Sequence, residues 1–137
     1  MYRFGLICLL ALAACRTTTT SSPPNMDAAV VTHATPVFAW KLVDGGRTLG
    51  FVVRYATGEP RSQTWYSVRN EHNQELGLVD ADGRAWRYRA HQRDPEWLGS
   101  GTVAQGAGRI LAASAFAEMI ATDVARLSEN GANLQAK

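Results

Sequence analysis

The sequence predicts an α+β domain: a curled antiparallel β-meander of five to six strands packed by one C-terminal α-helix. Three observations carry this. Apolar residues alternate with period two from Phe38 to Leu98, glycine-rich turn signals punctuate that stretch, and apolar residues then recur every three or four positions from Ile110 to Leu127. With 137 residues the chain has room for one small domain.

Taken in order, Phe38, Trp40 and Leu42 alternate with Ala39, Lys41 and Val43, and Asp44-Gly45-Gly46 supplies the positive-φ residues of a tight hairpin. Leu49, Phe51, Val53 and Tyr55 then fall on one face, with Thr48, Gly50, Val52 and Arg54 on the other. Beyond a loop containing Gly58 and Pro60 come the strand Thr64 to Arg69, a turn from Asn70 to Asn73, and Glu75-Leu76-Gly77-Leu78-Val79. A second tight turn at Asp82-Gly83 leads into Arg84 to Arg89, and Pro95 interrupts the loop before Trp97-Leu98. Gly50 and Gly77 sit inside strands at similar spacing and mark bulges where the sheet curls. The meander therefore occupies residues 37–103. For residues 104–131 the stripe Ile110, Ala113, Ala117, Ile120, Val124 and Leu127 predicts the helix, opened by a capping box of Thr102 with Gln105 and closed by Gly131. Residues 132–137 are expected to form a disordered tail.

The N-terminus carries an address. Arg3 precedes the apolar run Phe4 to Leu12, far short of the about 20 residues a membrane-spanning helix needs. Arg16, four threonines, two serines and two prolines follow, so the run reads as a secretory signal. Leu12-Ala13-Ala14-Cys15 resembles the lipobox of bacterial lipoproteins. The resemblance implies removal of residues 1–14, a thioether-linked diacylglycerol on Cys15 as the only non-protein group, and attachment to a membrane by several acyl chains. Arg16 stands where, in that class, an aspartate goes with inner-membrane retention. Its presence implies an outer-membrane protein of the cell envelope facing the periplasm. Residues 15–36 are rich in Thr, Ser and Pro and form a tether with a reach of about 25 Å. Cys8 leaves with the signal and Cys15 takes the lipid, so no disulfide is expected.

A formal net charge of +2, from 14 basic and 12 acidic residues, is too balanced for a dedicated nucleic-acid binder, and none is expected as a partner. Gly99-Ser100-Gly101-Thr102-Val103-Ala104 has the G-x-G-x-x-A form of a dinucleotide fingerprint but lacks the second parallel strand with an acidic end; it reads as a strand-to-helix joint. Asp80-Ala81-Asp82-Gly83 opens like a calcium loop, yet His91 occupies the twelfth position, where a glutamate is required. His72, His91, Glu71, Asp80, Asp94 and Glu96 show no ligand spacing, and Ser100 lies in G-S-G rather than in a nucleophile elbow. No metal site and no catalytic constellation are predicted.

Two constellations remain. Arg84, Arg87, Arg89 and His91 suggest a basic stripe, with Trp86 and Tyr88 opposite Arg87, Arg89 and His91; it suits the phosphates or carboxylates of anionic lipid, peptidoglycan or an envelope protein. Trp65, Tyr66, Trp86 and Trp97 are core residues or a surface for stacking on sugars. The expected function is thus a membrane-anchored, non-catalytic interaction or structural module. A small-ligand or glycan-binding lipoprotein is the alternative, and a small periplasmic hydrolase using His72 or His91 is the second.

Overall fold

A computed structural model of the chain describes residues 34–58, 63–125 and 127. The expected signal segment, Cys15, the tether up to residue 33 and the tail 132–137 lie outside the described residues. Among the described residues seven strands form one open antiparallel sheet and one helix packs on it: β1 (Thr35–Asp44), β2 (Arg47–Ala56), β3 (Thr64–Asn70), β4 (Glu75–Asp80), β5 (Arg84–Arg87), β6 (Glu96–Ser100), α1 (Val103–Leu111) and β7 (Glu118–Thr122). The strand order is β6-β5-β4-β3-β2-β1-β7. The first six strands are the expected meander, and the fold class is α+β.

The turns form where the sequence supplies residues for them. Gly45 and Gly46 both have positive φ, +57° and +80°, and close the β1–β2 hairpin. Asn73 takes a left-handed conformation between β3 and β4, and Gly83 does so between β4 and β5. Gly50 and Gly77 do adjoin bulges, and β6 adds a third of the same kind. Leu49, Leu76 and Leu98 are each the extra, unpaired residue, and each is followed by the glycine that resumes the register: Gly50 opposite Leu42, Gly77 opposite Val68, Gly99 opposite Ala85. These three strands therefore carry the same Leu-Gly bulge.

The helix sits over these bulges. Val52, Val68, Val79 and Ala85 from the sheet meet Ala107 and Ile110 from α1 in one buried cluster, with Leu76, Leu98, Val103 and Leu111 packed around it. A side chain at Gly77 would lie 2.2 Å from the Trp86 carbonyl oxygen and 3.2 Å from Ile110 Cδ1. At Gly50 it would lie 2.1 Å from the Arg69 carbonyl oxygen and 3.0 Å from Leu111 Cδ2. On the helix, a side chain at Gly106 would lie 2.9 Å from Val79 Cγ2.

The helix itself differs from the expectation of residues 104–131. Its start is the predicted capping box: Thr102 Oγ1 accepts from the Gln105 amide at 3.2 Å, and the Gln105 side chain accepts from the Thr102 amide at 3.0 Å. It ends after nine residues, because Ala112 turns left-handed and the Ala113 amide donates back to the Gly108 carbonyl. Residues 118–122 then become a strand. Without β7 the β1 edge would be unpaired along Ala39 to Val43, and pairing with Glu118–Thr122 satisfies those backbone groups. The crossover is fixed where Asp44 accepts from both the amide and the hydroxyl of Ser114, at 2.8 and 2.7 Å, which holds its carboxyl below the usual range. Helical backbone returns at residues 124, 125 and 127, and Leu127 packs with Ala39 and Val53 on the face away from α1.

Substituting Gly77→Ala forces the backbone of β5 to move, so it should destabilise the domain by about 2 kcal/mol and lower Tm by roughly 8 °C or more. Gly58→Ala adds a methyl to open space and should stay within about 0.5 kcal/mol of the parent in the same thermal unfolding experiment.

Candidate functional site

On the face opposite α1 the outward residues of β2, β3 and β4 are not all apolar. Tyr55 follows Val53 on this face of β2, while β3 presents Trp65, Ser67 and Arg69 in alternation. The register sets Tyr55 opposite Trp65 and Arg69 opposite Glu75. The chain leaving β5 adds Tyr88, held by its amide donating to the Leu76 carbonyl at 2.8 Å. These side chains, with Ala34, line a cleft of about 210 Å³.

The arginine in this cleft is rigidly placed. Arg69 donates from Nε to Ser67 Oγ (3.2 Å), from Nη1 to Asn73 Oδ1 (3.1 Å) and from Nη2 to the Tyr55 hydroxyl (2.7 Å). Its guanidinium lies 5.9 Å from the Tyr55 ring centre, and that ring stacks on Trp65 at 5.7 Å with an interplanar angle of 12°. Asn73 is in turn tied to the Leu127 carbonyl at 3.2 Å. Three of the five guanidinium N–H groups are engaged, which leaves two donors at the cleft. Glu75 is exposed and makes no hydrogen bond or ion pair among the described residues. The cleft thus combines a fixed cation, a free carboxylate, a phenol and an aromatic wall.

The four residues of the expected basic stripe do not share a surface. Alternation holds only while the strand lasts, and β5 stops at Arg87. Arg84 lies on the Trp86 side, where its Nε donates to Asp80 Oδ2 at 2.6 Å and its Nη2 reaches Asp82 at 3.3 Å. Arg87 points to the helix side, where Nη2 donates to the Arg109 carbonyl and Nε is buried without a partner. Arg89 lies past the strand in a bidentate pair with Glu96, at 2.6 and 2.9 Å. His91 is exposed in a turn with φ +64°. The positive charge of the three arginines is therefore met mainly by local carboxylates and carbonyls.

The aromatic candidates also separate. Trp86 is fully buried and offers no ring face to a ligand, and Tyr66 is half-buried on the helix side. Trp97 is 46% exposed at the β6 edge, and Trp65 alone of the four lines the cleft. Asp80 spends its carboxylate on its own hairpin, accepting from the Asp82 and Arg84 amides at 3.0 and 2.9 Å. His72 is exposed and lies 3.6 Å from Glu71. Among the described residues no group of three or more His, Cys, Asp or Glu side chains could hold a metal ion, and no helix is long and apolar enough to cross a membrane.

Burial first, and the neighbouring Glu75 charge second, push the Tyr88 phenol up to about 12 from its ordinary value near 10. Tyr88 therefore stays protonated at neutral pH and can donate as well as accept. Because the folded value is the higher one, the stability this confers is complete below the ordinary phenol range and is lost as pH rises from about 10 towards about 12. Titration of Tyr88 followed by NMR should show Glu75→Gln lowering the phenol only part of the way, since burial remains; a Tyr88 that titrates near 10 in the parent would contradict this environment. No known family model, curated protein or solved structure matches the chain.

Proposed function

We propose that this is a lipid-anchored binding protein of the bacterial envelope, held by Cys15 and taking a saccharide ring in the cleft of Tyr55, Arg69, Glu75 and Tyr88. The observation that carries this reading is Arg69. A guanidinium locked by Tyr55, Ser67 and Asn73 keeps two donors without a partner among the described residues, across the cavity from the Glu75 carboxylate, which makes no hydrogen bond or ion pair among them. Planar donors and acceptors set across a cleft suit vicinal hydroxyls, which accept from the guanidinium and donate to the carboxylate. The aromatic wall suits the apolar face of the ring.

The size supports one ring rather than a chain, since about 210 Å³ is below the roughly 300 Å³ at which pockets for drug-sized ligands begin. The expected envelope address supplies the class: the amino sugars of peptidoglycan, one of which bears a carboxylate that Arg69 would bind.

Isothermal titration with a peptidoglycan disaccharide should detect binding that weakens about tenfold or more in Glu75→Gln and in Tyr88→Ala. The paired variant Arg87→Glu with Arg89→Glu should bind as the parent does. Loss of binding in the arginine pair, with Glu75→Gln unaffected, would return the function to the basic residues and overturn the proposal.

A further inference from the structure

The helix side of the sheet is incompletely covered. α1 lies over β3 to β6 and its C-terminal end reaches β2, so the β1 end of this face carries a second group, of exposed Val37, Phe38 and Arg54 beside half-buried Trp40 and Tyr66. Phe38 of β1, Arg54 of β2 and Tyr66 of β3 are successive register partners across three strands. The Phe38 and Trp40 rings are 4.6 Å apart, and Trp40 and Tyr66 are 6.2 Å apart. Phe38 is 43% exposed, and the bulged Val37 beside it is 48% exposed. Arg54 is exposed and makes no ion pair or hydrogen bond among the described residues, in contrast to Arg84, Arg87 and Arg89.

The position of this group in the chain indicates its occupant. It begins at Val37, in the first residues of β1, and Cys15 lies nineteen residues before Ala34. The tether that the Thr-, Ser- and Pro-rich sequence predicts there would set the start of β1 typically about 25 Å from its anchor. It also holds the group at an effective concentration in the millimolar range over the bilayer, so a weak intrinsic affinity suffices for docking. The composition fits a lipid interface: Phe and Val enter the acyl boundary, Trp and Tyr rest at headgroup level, and one unpaired Arg reaches an anionic phosphate.

We infer that Val37, Phe38, Trp40 and Tyr66, with Arg54, dock the domain on the anionic surface of the membrane to which Cys15 ties it. This rests on the anchor reading above and extends it to an orientation. The group lies on the helix side and the cleft on the other, so docking turns the cleft away from the lipid.

The test uses protein purified from the membrane fraction and reconstituted in vesicles of phosphatidylethanolamine and phosphatidylglycerol, with and without brominated acyl chains. Brominated lipid should quench the tryptophan emission of the parent and of Trp97→Phe, and should fail to quench Trp40→Phe. Arg54→Glu should lower the docked-to-undocked ratio about thirtyfold, as a two-unit change of charge at an anionic surface requires. The mass of the same protein reports the anchor separately. A bare Cys15 overturns the anchor and the geometric ground of docking with it, whereas a lipidated Cys15 with no quenching at Trp40 overturns docking alone. A Trp40 shielded from both brominated lipid and aqueous acrylamide would mean that protein covers the group, a second copy included, and would also overturn the inference.

Discussion

The close seating of α1 on the sheet is the constraint on which the rest of the structure depends. A nine-residue helix buries little surface, so it closes one face only if it lies against the backbone itself. Gly50 and Gly77 make room on the sheet and Gly106 on the helix, while the bulged Leu76 and Leu98 rise around the seat and complete the cluster with Val79, Ala85 and Ile110. The opposite face has no such helix among the described residues. The short turn carrying Leu127 packs there with Ala39, Val53, Phe51 and Tyr55, while Trp65 and Ser67 of β3 are buried and Arg69, Glu75 and Tyr88 remain partly open beside it.

Much of this was legible in the sequence, for identifiable reasons. Strand alternation and the Gly45-Gly46 and Asp82-Gly83 turns depend on neighbours in the chain, so they could be read locally. The capping box of Thr102 and Gln105 is a local signal too, and it holds. The end of the helix is not local. The spacing of Ile110, Ala113, Ala117 and Ile120 suits a helix, but the unpaired edge of β1 claims residues 118–122, and that need is visible only once the sheet is assembled. The same limit applies to the arginines, whose alternation loses its meaning where β5 ends at Arg87 and whose charges find nearby acceptors.

The cleft residues Tyr55, Arg69 and Glu75 are not legible as a group, because they come from three strands whose register a single sequence does not reveal. One signal is present: β3 alternates Trp65, Ser67 and Arg69 on one face, which sets a charged residue in line with two that the structure buries. The structure gives that pattern a cause. Arg69 is fixed by Tyr55, Ser67 and Asn73 and remains partly open, an arrangement that places donors without mobility and so limits the ordering a ligand must offset. Together with the proposed lipid anchor, this describes a domain with two unlike faces. The helix side stabilises the fold and, in the proposal, turns towards the bilayer, with the cleft of the other side open for the proposed ligand.

The most direct test of this division is a residue-by-residue NMR map of amide shifts while a peptidoglycan disaccharide is titrated into the protein. Perturbations should centre on Tyr55, Ser67, Arg69, Glu75 and Tyr88, with residues 103–111 quiet. Perturbations centred on Arg87 and Arg89, or on the helix, with silence at Arg69 and Glu75, would contradict this division.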